Sequence, residues 1–218
     1  MLPPRVAEVR LTLPARSSRS RPKETPMPDA RPEVLDFLLS RRSRPAKTLA
    51  LPVPDRNQLG PILTAALRTP DHGKLEPWRL LVLEAGAMPR LVALAEARAE
   101  ALGLDPEKRA KGRSQFEQSH LAVVVVASPK PSDKVPAIEQ TLSAGAVCLG
   151  LLNAAQAAGW GANWLTGWPA HDRDFVREGL GLEDHEFVAG IIHIGSETVA
   201  PPDRPRPDIA SLTTWVSE

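Results

Sequence analysis

Apolar residues first recur at helical spacing in Val34, Leu35, Leu38 and Leu39. They follow Pro32, whose fixed φ suits a first helical turn, so the pattern predicts a helix from Pro32 through Arg42. Residues 44–54 carry Pro45, Pro52 and Pro54 and read as loop. Asp55 with Gln58 three residues on forms a capping box, and the helix it opens holds Leu59, Ile62, Leu63, Ala66 and Leu67 before Pro70 stops it. Trp78 to Leu83 reads as a strand between Pro77 and Gly86, followed by helices at about 88–102 and 105–118, the second polar and expected to be exposed. Leu121 to Ala127 is nearly continuous valine, which predicts a central strand buried on both faces. A long helix over about 136–158 is rich in small residues, among them Ser143, Ala144, Gly145, Ala146 and Gly150, which permit close backbone approach to another element. Gly159 ends it. A strand at about 160–165, a short helix at about 172–180 closed by Gly181, and a strand from Phe187 to Ile194 complete the pattern. Beyond them lies a Pro-rich arm with an apolar tip, Leu212 to Val216, suited to packing on a second subunit.

Three or four strands with more helix than sheet, no internal repeat and no domain-scale linker predict a single α+β layered domain over residues 29–218. Residues 1–28 differ in kind. Arg5, Arg10, Arg16, Arg19, Arg21 and Lys23 face only Glu8 and Glu24, prolines are frequent, and no apolar periodicity persists. Such a leader cannot bury enough surface to offset its ordering entropy and is expected to be disordered. Alternatively Met27 is the true start, since the ordered pattern begins directly after it.

The 218-residue chain has 24% charged residues and a net charge of +1, so nothing in the whole-chain balance marks a nucleic-acid binder. No apolar run nears the roughly 18 residues that span a bilayer. One cysteine, Cys148, excludes an internal disulfide and fits a reducing cytoplasm. His72, His120, His171, His185 and His193 are scattered without ligand spacing, so no metal site is expected, and His193 reads as a structural residue within a strand. Neither a Gly-x-Ser-x-Gly elbow nor a phosphate-binding P-loop occurs. Arg41-Arg42-Ser43 offers two guanidinium forks and a hydroxyl, a good phosphate grip, although helix ends also carry Arg to complement the macrodipole. A phosphate-binding candidate without a convincing nucleophile is what a cofactor-dependent enzyme presents.

With these residues in order, the chain resembles the nitroreductase family of FMN-dependent oxidoreductases, in particular its small NAD(P)H nitroreductase branch. The resemblance rests on Arg41-Arg42-Ser43, Arg68-x-Pro70-Asp71-His72, Pro77-Trp78, Ser143-Ala144-Gly145 and Trp164 to Gly167, spread over about residues 33–196. It implies a layered α/β/α sandwich with a central, mainly antiparallel sheet, forming an intertwined homodimer. It further implies that Arg41, Arg42 and Ser43 contact the FMN phosphate and ribityl chain, and that Arg68 and His72 reach the flavin from the partner subunit. Trp164, Leu165 and Thr166 run along the isoalloxazine ring by the same resemblance. Ala154, Ala155, Gln156, Ala157, Ala158 and Gly159 match a nicotinamide-nucleotide segment, and Arg204 and Arg206 add phosphate contacts.

The implied activity is ping-pong hydride transfer from NADH or NADPH through flavin to a small acceptor, a nitroaromatic or quinone-like molecule. A dehalogenase or oxidase of the same fold, or a non-catalytic FMN-binding protein, remains open. Glu76 departs from the family's usual Gln before Pro-Trp, and Leu165 replaces a position that can be polar, leaving it a wall or a backbone contact.

Overall fold

The computed structural model describes residues 28–218; the expected leader lies outside them. Among the described residues the chain forms seven α-helices and five strands. The helices are α1 (Pro32–Ser40), α2 (Arg56–Ala66), α3 (Met88–Ala101), α4 (Pro106–Glu117), α5 (Ala137–Ala157), α6 (Arg173–Leu180) and α7 (Ile209–Leu212). The strands are β1 (Leu49–Ala50), β2 (Trp78–Glu84), β3 (Leu121–Ala127), β4 (Gly161–Leu165) and β5 (Phe187–Glu197).

The sheet is antiparallel throughout. β2 pairs with β3 and β3 with β5, while β4 runs along β5 and the short β1 pairs with the end of β5 at Glu197 and Ser196. All seven residues of β3 are buried, as a valine run in a central strand requires. Their alternation separates two cores. Val123 and Val125 pack with Leu59, Ile62, Val147, Leu151 and Ile192 under α2 and α5. Val124 and Val126 pack with Leu91, Phe116, Phe175 and Leu180 under α3, α4 and α6. The result is the expected three-layer α/β/α sandwich.

Local signals explain most element ends. Asp55 accepts from Gln58 N while the Gln58 side chain accepts from Asp55 N, closing the capping box of α2. Asp172 caps α6 through Phe175 N, and Gly181 ends that helix with φ 66°. The small residues of α5 bring α2 close: a Cβ on Gly150 would lie 3.2 Å from the Ala66 carbonyl oxygen.

Three expectations shift. α1 ends at Ser40, leaving Arg41 to Ser43 in extended backbone beyond its last turn. The Pro-rich loop over 44–54 contains β1, which no local pattern announces because its partner is 147 residues or so downstream. The polar helix α4 is not wholly exposed, since Gly112 and Phe116 are buried. No helix among the described residues is long and apolar enough to cross a membrane.

Candidate functional site

Where α1 ends, the chain turns along the last turn of α5 and the start of β4. Arg44 N donates to Ala162 O, and the Gln156 side chain donates to Arg42 O at 2.7 Å. Gln156 also accepts from Arg41 Nε at 3.1 Å, so one carboxamide fixes both the main chain and the first guanidinium of the Arg-Arg-Ser segment. Arg41 sits at the C-terminal ends of both α1 and α5, where aligned carbonyls favour a cation. Ser43 Oγ accepts from the same Arg41 at 3.3 Å.

The C-terminal arm closes over this corner. Asp203 accepts from Arg42 at 2.8 Å and lies 3.5 Å from Arg206, tying the arm across the strand ends. A cavity of about 540 Å³ results, lined by Arg41, Arg42, Ser43, Asn163, Arg204 and Arg206 together with Leu38 and four arm prolines. Arg44 pairs with Glu197 behind it. Five guanidiniums thus meet two carboxylates, Asp203 and Glu197. Burial first, then the charges of Arg206, Arg42 and Arg44, hold the Arg41 guanidinium below its ordinary pKa. It stays protonated, because arginine does not lose its proton in proteins. A half-buried cationic cluster short of anions is the electrostatic description of an anion site.

Arg68 and His72 lie elsewhere on the protomer. The loop that follows α2 docks on the first half of α5: Ser143 Oγ donates to Pro70 O at 2.8 Å, and His72 Nδ1 is 2.6 Å from Glu139. The Asp71 carboxylate accepts from Leu75 N and Glu76 N, bracing a turn in which Lys74 and Glu76 hold positive φ of 53° and 48°. Left-handed backbone at two non-glycine residues is strained and needs such bracing. Ser143 and Gln156 are separated by about 20 Å along α5 at its rise per residue. Within one chain His72 is therefore held apart from the arginine cavity.

β4 leads from the arginine cavity to a second one. Asn163 lines the first; Thr166, about 10 Å further along extended backbone, lines another of about 410 Å³ with Thr141, Gly145, His171, Arg173 and Phe187. Trp164 is 38% exposed and lies over Gly190, where a Cβ would sit 2.2 Å from its Nε1.

A family profile described as the nitroreductase family matches residues 38–196. Two relatives match over three quarters of the chain. "Putative NAD(P)H nitroreductase YdjA" of Escherichia coli (strain K12) is 35% identical over 164 residues, covering 75% of this chain and 88% of the relative. A protein of Haemophilus influenzae (strain ATCC 51907 / DSM 11121 / KW20 / Rd), named "Putative NAD(P)H nitroreductase", is 36% identical over 166 residues with the same coverage. The chain belongs to the nitroreductase family. Solved structures agree on the fold. A nitroreductase-like family protein from Bacillus cereus superposes with a TM-score of 0.70 at 22% identity, covering 88% of this chain and 99% of that one. A nitroreductase with bound FMN from Bacteroides fragilis NCTC 9343 gives 0.66 at 20% identity, covering 85% and 99%.

As a nitroreductase, the chain brings together some of the residues expected from sequence and separates others. Arg41, Arg42, Ser43, Arg204 and Arg206 share one cavity. Leu165 turns to the opposite sheet face from Trp164, so only its main chain is available on the Trp164 side. In the segment Ala154 to Gly159, Ala155 is fully buried in the core and Gln156 is engaged with Arg41 and Arg42, which leaves Ala157, Ala158 and Gly159 as its exposed surface. Trp78 packs against the α5 core and donates to Ser143 Oγ, while Trp168 packs edge-on to Phe175. Gln156, Asn163 and Asp203 were not legible as parts of the arginine site. The one available signal was a lone Gln in an alanine-rich helix end. Among the described residues no group of three or more His, Cys, Asp or Glu is placed to hold a metal ion.

Proposed function

We propose that this nitroreductase is an FMN-dependent NAD(P)H oxidoreductase, working as a homodimer and passing electrons to a small acceptor of nitroaromatic or quinone type. The observation that carries the reading is the arginine cluster. Its forks suit a phosphate dianion, the Ser43 hydroxyl adds a donor, and the cavity is roomy enough for a phosphate with an attached polyol. From that end, β4 runs toward Trp164 and Thr166, which flank the ring end, with the Leu165 main chain between them. When bound, FMN supplies a ring able to take hydride from a reduced nicotinamide and pass electrons on. The chain's own residues hold the phosphate, orient the ring and shield it from water. The printed names of the relatives, and the FMN-bound Bacteroides structure, support the same assignment.

The homodimer is supported by what one protomer leaves uncovered. Val34, Leu35, Leu38 and Leu39 of α1 and Leu142 and Leu149 of α5 are exposed, as are Leu212, Trp215 and Val216 at the arm's tip. His72, whose loop docks on α5 about 20 Å from Gln156, and Arg68 at the start of that loop reach the site of the other protomer. Nicotinamide contact falls to Ala157, Ala158 and Gly159 through its uncharged parts, because a helix C-terminus disfavours phosphate. A cytoplasmic setting suits Cys148, a free and buried thiol.

The test is the absorbance spectrum of the purified protein, then rapid-mixing reduction by NADH and by NADPH with a nitroaromatic acceptor. A flavin band and its bleaching are expected. Colourless protein that takes up no added FMN refutes the proposal. Flavin that neither nucleotide reduces makes the protein a flavin binder instead.

A further inference from the structure

On the sheet face away from Trp164, behind β4, lies a cavity of about 270 Å³ that shares only Pro45 with the arginine cavity. Pro45 and Ala46 form one wall, Leu165 and His193 the sheet side, and Gln115 of α4 with Gln118 just past its end the cover. Two polar atoms at this place are buried without a partner: His193 Nε2 and Gln115 Oε1. His193 is only 2% exposed, and its ring is fixed by a 3.0 Å contact between Nδ1 and Ser119 Oγ. The half-buried Gln115 packs its carboxamide against Gly167, where a Cβ would be 2.1 Å from Nε2. An isolated orphan could be a packing accident. Two on facing elements, sharing one cavity, form a pair of binding groups waiting for a common partner.

The chemistry of that partner follows from what each atom needs. Gln115 Oε1 requires a donor. His193 Nε2 is an acceptor or a donor, depending on whether Nδ1 donates to Ser119 or accepts from it. A carboxylate meets the Gln115 oxygen repulsively, and an ammonium finds no acid in the lining and Lys47 at its rim. A primary carboxamide satisfies the pair in either tautomer: one N–H donates to Gln115, and the second N–H or the carbonyl meets His193. Pro45, Ala46 and Leu165 then accept a short alkyl body. We propose that this cavity is a binding site for a compact, neutral primary amide, distinct from the flavin site and independent of whether FMN binds.

Acetamide is the probe, with methyl acetate, similar in shape but lacking N–H, as its control. Crystals of the full chain soaked in acetamide are expected to show the amide bridging His193 and Gln115. In solution the thermal midpoint rises with acetamide and not with methyl acetate, because only a ligand of the native state stabilises it. Gln115→Met removes the orphaned acceptor, so it melts no lower than the parent and loses the acetamide response. Soaked crystals with water alone or an empty cavity overturn the proposal. So do equal midpoint responses to the two probes, a test that needs no variant to fold.

Discussion

Replacing Arg41 with alanine removes a guanidinium whose side-chain partners among the described residues are Gln156 and Ser43. The fold, and with it the proposed dimer, should therefore survive while the anion site loses a donor fork. A charge-assisted hydrogen bond contributes about 1.5–3 kcal/mol, so the FMN dissociation constant should rise roughly tenfold to a hundredfold in a flavin-fluorescence titration. Arg41→Lys keeps the charge but not the fork, and should fall between. Affinity unchanged in Arg41→Ala moves the phosphate to Arg204 and Arg206. Two other residues contribute to acid stability through their burial and pairing. Burial holds His193 down to about 4 from 6.5, so the unfolded chain takes up this proton first as pH falls. Stability from this residue is complete above about pH 6.5 and declines toward pH 4, by up to about 3 kcal/mol. Glu186, 4% exposed and bonded to Arg79 at 2.6 and 2.7 Å, is held at about 2 from 4.5, chiefly by that side-chain contact. Its contribution is complete above about pH 4.5 and is lost as pH falls toward 2. Denaturation midpoints measured across this range should fall in two successive stages; a flat profile between pH 6.5 and 5 refutes the His193 assignment.

At the scale of elements, β5 is shaped to carry the indole of β4. Gly190→Ala places a methyl 2.2 Å from Trp164 Nε1 and 2.9 Å from Cys148 Sγ, and Cys148 sits on the packed face of α5 and cannot retreat. Overpacking of this kind costs about 1–3 kcal/mol, and the easier escape is for Trp164 to leave the sheet. A lower thermal midpoint with red-shifted tryptophan emission is expected; unchanged emission and stability exclude the contact. The same strand shows what a sequence can reveal. β3, the capping box of α2 and the Gly181 stop of α6 were legible because each depends on residues within a few positions of one another. β1 was not, because Leu49 and Ala50 become a strand only through Glu197 and Ser196. Phe116 was the one large apolar residue of a polar helix, and its burial against Phe175, ring centroids 5.3 Å apart, depends on where α6 arrives. In the site, Arg41 to Ser43 were visible as neighbours in sequence. Their junction with Arg204 and Arg206 runs through the Asp203 bridge, which no spacing rule anticipates.

For the whole molecule, the decisive geometry is the length of α5. It holds the arginine cavity near Gln156 and the Pro70–His72 loop near Ser143, two helix positions about 20 Å apart, so a site that draws on both His72 and the arginines would be completed by a second chain. In the proposed homodimer, a two-fold axis pairing the exposed α5 stripes would let each chain lend its loop to the other's cavity. Arg41→Ala spoils the cavity a chain provides, and Arg68→Ala spoils the loop it lends. In either homodimer both sites are defective. When the two variants are unfolded together and refolded, the mixed dimer has one site carrying both defects and one carrying neither. With random pairing about half the dimers are mixed, so about a quarter of all sites should recover full flavin affinity. Flavin bound at low free FMN should therefore exceed that of either variant refolded alone. If the mixture binds only the average of its parents, Arg68 does not act across the interface, and each cavity is completed by its own chain.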